Sequence, residues 1–177
     1  NVGGQRKLPM ADLKQLLTTE YPQIDRDEDF ELTLMQLLAA IQEATENSCD
    51  HAYKGSSVPD VNRRWWTTGA IDVPNRHLNL IVYDSGNSIP ATLPSWEKYP
   101  FIDSRLARIK RVWKSALGED ELDAIKIRLA MDAPRSSTDS THRGKGFPLF
   151  RSVVDQGKAA RLRIVSRGGE FLYQKGA

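Results

Sequence analysis

Apolar positions recur at helical spacing through Leu34, Leu38, Ile41, Thr45, Cys49 and Ala52, a mostly nonpolar stripe of the kind a helix needs to dock on a sheet. At about 100° per residue, Glu43, Asn47, Asp50 and His51 fall on the opposite side. The pattern predicts a long helix from about Phe30 to Tyr53, started by the acidic stretch at 25–29 and ended by Gly55-Ser-Ser-Val-Pro59. A shorter amphipathic helix, with Pro9 in its first turn and Leu13, Leu16 and Leu17 inward, precedes it through about Tyr21. Downstream the period shortens. Arg63 to Asp72 and Leu78 to Tyr83 read as strands joined by a hairpin at Val73-Pro-Asn-Arg76, and the near-continuous apolar run of the second predicts a central strand.

After Ser88 the pattern changes again. A loop punctuated by Pro90, Pro94 and Pro100 leads into two helical patterns, about 104–117 with Asp103 or Ser104 as cap, and 119–131. Arg135 to Thr141 is short and polar, with Ser136, Ser137 and Thr138 as candidate phosphate contacts or plain linker. A helix from about Phe147 to Gln156 ends at Gly157, and Ala160–Ser166 with Glu170–Tyr173 form a closing hairpin turning at Gly168-Gly169. The excursion 88–143, between a strand and a glycine pair, is a candidate lid. There is no internal repeat.

Composition narrows the class. With 177 residues, 40% of them hydrophobic and 27% charged, the chain suits one domain that buries its own core, and no apolar run reaches the roughly 20 residues of a membrane span. The single cysteine, Cys49, lies on the expected buried stripe, where an inert thiol is the natural reading. Together with the absence of a signal-peptide pattern, it points to a cytoplasmic protein. The net charge of +2 conceals an asymmetry, since residues 1–100 carry 9 Lys/Arg against 14 Asp/Glu and residues 101–177 carry 16 against 9. These basic residues are interspersed with apolar ones as on a solvated face, so neither nucleic acid nor membrane is expected as a partner. Trp65, Trp66, Trp96 and Trp113 are expected in packing, and His142 on an exposed loop. The start at Asn1 leaves room for a preceding domain.

Three short motifs carry candidate chemistry. Glu43 and Asn47 stand one helical turn apart; a side-chain amide oxygen suits Mg²⁺, and a carboxylate beside it can activate a water for attack on a terminal phosphate. Asp84-Ser-Gly86-Asn-Ser-Ile89 follows a strand directly, where an aspartate can accept a hydrogen bond from an adenine amino group and Gly86 permits a tight turn or close approach. Arg143-Gly144-Lys145-Gly146-Phe147 opens a helix, so that backbone N–H groups and two cations can meet phosphate. No Lys-Ser/Thr pair follows these glycines, so this is not a Walker loop.

In this order and on these elements, E-x-x-x-N, D-x-G-x-x-I, a variable lid, G-x-G before a helix and a final hairpin resemble the GHKL ATPase superfamily of gyrase, heat-shock chaperone, histidine kinase and MutL. Glu43-Ala-Thr-Glu-Asn47 with His51-Ala-Tyr53 is similar to the first motif of its histidine-kinase-like and anti-sigma-factor members. The resemblance covers roughly 30–175 and implies an α/β fold: a two-layer sandwich with a mixed, mostly antiparallel sheet and helices on one face. It implies an ATP-binding domain over 30–177, a lid at about 88–143, and residues 1–29 as an N-terminal helix and linker. Glu43 would polarise the attacking water. Asn47 would ligate Mg²⁺, and Asp84 would bind the adenine amino group, with Gly86 and Ile89 shaping the base site. Gly144, Gly146 and the Phe147 helix start would cradle phosphates, approached by Arg143 or Lys145, and Asp50 belongs to the same nucleotide face.

The chain departs from the family's pattern at Ser88, which stands in place of a glycine, at Phe147-Pro148-Leu149, and at Gly169-Glu170-Phe171, which lacks a threonine. The activity implied is slow Mg-dependent ATP hydrolysis driving a switch with a protein partner, a further domain or a second copy. A protein serine kinase of the anti-sigma type and a non-hydrolysing nucleotide-dependent interaction module are the alternatives.

Overall fold

The computed structural model describes residues 15, 18, 19, 28–55, 59, 62–72, 74, 75, 77–113, 116–133, 146–157 and 160–175. They form a mixed α/β chain that divides into two compact units between Gly86 and Asn87. The boundary falls inside the D-x-G-x-x-I motif. Of the helix expected between Pro9 and Tyr21, only Gln15, Thr18 and Thr19 lie among the described residues, and all three are helical.

The first unit holds helix α1 (Glu28–Asp50), strand β1 (Trp65–Asp72) and strand β2 (His77–Asp84). The strands pair antiparallel from Trp65 opposite Asp84 to Asp72 opposite His77. The Asp72 carboxylate accepts from the Asn75 backbone N–H at 3.2 Å and from its amide at 2.8 Å, which sets the hairpin turn where the sequence places it. Helix α1 contacts both strands of the hairpin, with Leu34, Leu38, Ala40, Ile41 and Ser48 buried along it and Ala52 just beyond it. The stripe therefore passes through Ser48 and leaves Cys49 exposed, a correction of one residue to the expected line. The spacing 34, 38, 41, 45, 48, 52 follows the period of about 3.6 more closely than a step from 45 to 49. β2 is not a central strand among the described residues. It pairs with β1 alone, and its outer face exposes Ile81 and Tyr83, the latter stacked on Trp66 with ring centroids 5.5 Å apart.

The second unit begins with α2 (Ile89–Thr92) and a 3₁₀ turn, Leu93–Ser95, and continues with α3 (Tyr99–Trp113), α4 (Glu119–Met131), α5 (Gly146–Gln156) and the hairpin β3 (Arg161–Ser166) and β4 (Gly169–Gln174). α3 starts about five residues earlier than expected because Pro100 occupies its first turn, where a missing N–H costs nothing. Ser104 is thus inside the helix, its hydroxyl donating to the Phe101 carbonyl at 3.0 Å, and not a cap. Leu93, Ile102, Leu106, Leu129 and Ala130 form one core cluster, and Ile127, Met131 and Phe171 another. The segment expected as a lid therefore supplies most of this unit's core. Its outer sheet face carries the exposed Val165 and Leu172.

All strand pairing among the described residues is antiparallel and lies within these two hairpins, one in each unit. Short links enforce this: four residues join β1 to β2 and two join β3 to β4, whereas parallel neighbours need a long crossover. The second turn is Arg167-Gly168, one residue earlier than expected, with Arg167 in the left-handed region at φ 56°. Arg167 is held there by Asp123 of α4. This aspartate is fully buried and accepts from two guanidinium nitrogens at 2.5 Å and from Lys126 Nζ at 3.4 Å. Gly169 lets the hairpin approach α4 closely, since a Cβ there would stand 2.5 Å from the Ala124 backbone nitrogen.

Candidate functional site

Within the first unit, three contacts, Ser48–Asp84, Tyr53–Ser85 and Ala52–Gly86, fasten the loop after β2 to the end of α1 and the turn that follows it. Ser48 Oγ donates to Asp84 Oδ2 at 2.8 Å, and the Gly86 N–H donates to Asp84 Oδ1 at 3.0 Å. The buried Tyr53 hydroxyl accepts from the Arg64 and Ser85 backbone N–H groups at 3.2 and 3.3 Å and donates to the Arg64 carbonyl at 2.6 Å. Finally, Gly86 lies directly on the Ala52 backbone, so close that a Cβ would meet the Ala52 carbonyl oxygen at 2.3 Å. Gly86→Ala is therefore expected to lower stability by about 1–3 kcal/mol, because backbone rather than a yielding side chain blocks the methyl group. A urea titration followed by tryptophan fluorescence measures this, and an unchanged midpoint would remove the close-approach role.

Glu43 and Asn47 are half-buried on the same helix, with Asn47 Nδ2 3.4 Å from Glu43 Oε1. The amide thus spends a donor on the carboxylate, leaving its oxygen to serve as an acceptor or ligand. Asp50 and His51 are exposed at the helix end. One unit therefore holds Glu43, Asn47, Asp50, Asp84 and Gly86, with Asp84 tied by hydrogen bond to the residue after Asn47.

The remaining expected site residues belong to the second unit or fall outside the described residues. Ile89 packs against both core clusters, and its N–H donates to Ser166 Oγ at 2.8 Å. Phe147 is half-buried edge-on to Trp96 and Phe150, with centroid distances of 6.5 and 6.2 Å, and Gly146 is the first residue of α5. Arg143, Gly144, Lys145, His142 and the serine and threonine residues at 136–138 lie outside the described residues. Ser88 adopts φ −70° and ψ 155°, a backbone any residue takes, so the serine found in place of a glycine imposes no strain. Glu170, at the position lacking a threonine, pairs with Arg163 at 2.8 and 3.1 Å, while Phe171 is buried in the core.

Of the four tryptophans expected in packing, Trp96 packs against the core of its unit and Trp65 is half-buried. Trp66 and Trp113 are exposed instead. Cys49 is exposed too, yet its thiol pKa lies above the ordinary 9.0. Surrounding protein desolvates the thiolate, and Asp50 and Glu46 add negative charge, against an opposing contact from Trp65. The expected burial of Cys49 is therefore overturned, while the upward shift, led by desolvation, works against thiolate formation.

Ser48 is the residue that sequence reasoning missed. Its signal was present, seven residues after Ile41 and four before Ala52 on the inward stripe, but a serine at that place reads as a break in the apolar pattern. Among the described residues, no group of three or more His, Cys, Asp or Glu side chains is gathered to hold a metal ion. No family model, curated protein or solved structure gives a significant match to this chain.

Proposed function

We propose that the chain is a Mg-dependent ATP-binding domain of the GHKL type, hydrolysing ATP slowly and acting as a nucleotide-controlled switch. The observation that carries this reading is the Ser48–Asp84 hydrogen bond, reinforced by the Gly86–Ala52 contact. Together they tie an aspartate suited to an adenine amino group to the helix that bears a carboxylate and an amide in E-x-x-x-N spacing. A two-layer sandwich is compatible with what each unit shows alone, helices on one face of an antiparallel pair.

The donor set suits magnesium. One neutral amide oxygen, Asn47 Oδ1, combined with substrate phosphates and water, is an ordinary environment for this ion, and no cluster of protein carboxylates is needed. When bound, Mg²⁺ would supply charge neutralisation on the phosphates. The chain's own residues do the rest. Ser48 and the Gly86 N–H each occupy one lone pair of the Asp84 carboxylate, fixing its plane and leaving acceptor capacity for an exocyclic amine. Glu43, one turn before Asn47, accepts a proton from the attacking water and is oriented by the Asn47 amide. Because α3 and α4 carry core residues of the second unit, a closing movement in the switch would take these helices with their core as a body.

A thermal-shift titration tests the reading. Mg-ATP and Mg-ADP are expected to raise the unfolding midpoint and Mg-GTP to leave it unchanged, because a ligand of the native state stabilises by mass action. Asp84→Asn should weaken ATP binding by about 1–3 kcal/mol by mispairing the adenine amine. The fold tolerates this change: the remaining oxygen still accepts from Gly86, and the Ser48 hydroxyl can turn to accept from the new amide. Equal shifts with ATP and GTP, or wild-type affinity in Asp84→Asn, would remove the adenine role.

A further inference from the structure

The C-terminal half of α3 presents four cations and two large apolar side chains to solvent. Arg105, Arg108, Lys110 and Arg111 are all exposed, Val112 retains 69% of its accessible surface and Trp113 59%. None of the four cations is engaged in an ion pair among the described residues; Arg105 alone has a partner, lying 4.5 Å over the Phe101 ring. At about 100° per residue, Arg111, Arg108, Val112 and Arg105 follow one another around an arc of about 120°, Trp113 lies about 80° beyond Arg105 on the side of the core, and Lys110 about 60° farther on.

Two ordinary explanations cover only part of this patch. Lys110 and Arg111 in the last turn complement the helix dipole, but Arg105 and Arg108 lie farther back. Trp113 continues the inward stripe of Ile102, Leu106 and Ile109 by helical spacing, yet the core covering those residues does not cover it. An apolar stripe that emerges from its core beside unpaired cations is matched by a surface that is both anionic and apolar.

We propose that this end of α3 is a peripheral docking site for an anionic phospholipid surface. Charge complementarity sets the sign of the partner, and the apolar pair sets its class. A nucleic acid could use the cations and stack on the tryptophan, but has no use for an exposed valine. The boundary between headgroups and acyl chains takes both, with tryptophan at the interface, valine beneath it and arginines on the phosphates. Contact is peripheral, since no helix among the described residues is long and apolar enough to cross a membrane.

Vesicle co-sedimentation of the full chain tests the site. Vesicles with about one-third phosphatidylserine should pellet the protein at about 0.05 M NaCl and release it at about 0.5 M, while neutral phosphatidylcholine vesicles leave it in solution. Arg108→Glu/Arg111→Glu and Val112→Ser/Trp113→Ser should each weaken the association at least about tenfold with unfolding midpoints like wild type. The salt and lipid dependence of the wild type provides the same test without a variant. Equal pelleting with neutral vesicles, no pelleting with anionic ones, or wild-type association by both folded variants would overturn the proposal. So would a gel shift of an RNA or DNA oligonucleotide in a protein that ignores vesicles, which would assign the patch to nucleic acid.

Discussion

On the proposed reading, Glu43→Ala is expected to lower phosphate release by about 10²–10⁴-fold while ATP still binds, because it removes the proposed proton acceptor and leaves Asn47 and Asp84 in place. Glu43 is half-buried on the outer side of α1, away from the line of residues that docks on the β1–β2 hairpin, so the helix should survive the truncation. Asn47 loses a 3.4 Å hydrogen bond, a weak one by length. The comparison to make is single-turnover hydrolysis alongside the Mg-ATP thermal shift, in wild type and variant. Hydrolysis surviving at the wild-type rate would dismiss Glu43 as the base. Wild type that binds ATP without turnover would replace the ATPase with the nucleotide-dependent interaction module, and labelled phosphate on a serine of a co-purified protein would replace it with the kinase.

The second large effect concerns stability. Asp123→Ala should destabilise the protein by about 2 kcal/mol, because the carboxylate is the buried acceptor that holds the left-handed Arg167 turn of the β3–β4 hairpin on α4. Breaking a fully buried pair typically costs about 3–5 kcal/mol, and the smaller figure allows for Arg167 being half-exposed and able to rejoin solvent.

The same group gives a pH dependence of definite sign. The Arg167 hydrogen bonds hold the Asp123 carboxyl below its ordinary 3.8, outweighing the opposing effect of burial, with Arg167 and Lys126 charge assisting. A carboxylate depressed in the folded state contributes its full stabilisation above the unfolded value and loses it as pH falls through the folded one. Stability should therefore be insensitive to this group from neutrality down to about pH 5, decline below about pH 4, and decline less steeply in Asp123→Ala than in wild type. Denaturant midpoints between about pH 2 and 7 measure this; identical slopes in the two proteins would show that Asp123 carries no linkage.

The sequence by itself determined the elements and their order. Helical spacing from Leu34 to Ala52, the strands flanking Val73-Pro-Asn-Arg76, the pattern at 119–131 and the closing hairpin all appear at nearly the expected positions, because burial of one face imposes a period that can be read from the chain. The E-x-x-x-N and D-x-G spacings were equally legible.

Tertiary structure alone decided what these elements do to one another. Only packing shows that Ser48 and not Cys49 lies on the inward line of α1, since a lone serine becomes an inward residue when Asp84 arrives from 36 positions away to accept its hydrogen bond. Likewise Asp123 reads as a surface charge on an acidic helix, and is buried only because Arg167, 44 positions later, compensates it. The run from Leu78 to Tyr83 promised a central strand buried on both faces, yet among the described residues it pairs with β1 alone and one face exposes Ile81 and Tyr83. Trp113 likewise lies on the extension of a buried stripe but outlasts the core beneath it. In each case a local pattern reports which residues seek burial or a partner, whereas whether they find one depends on segments distant in sequence.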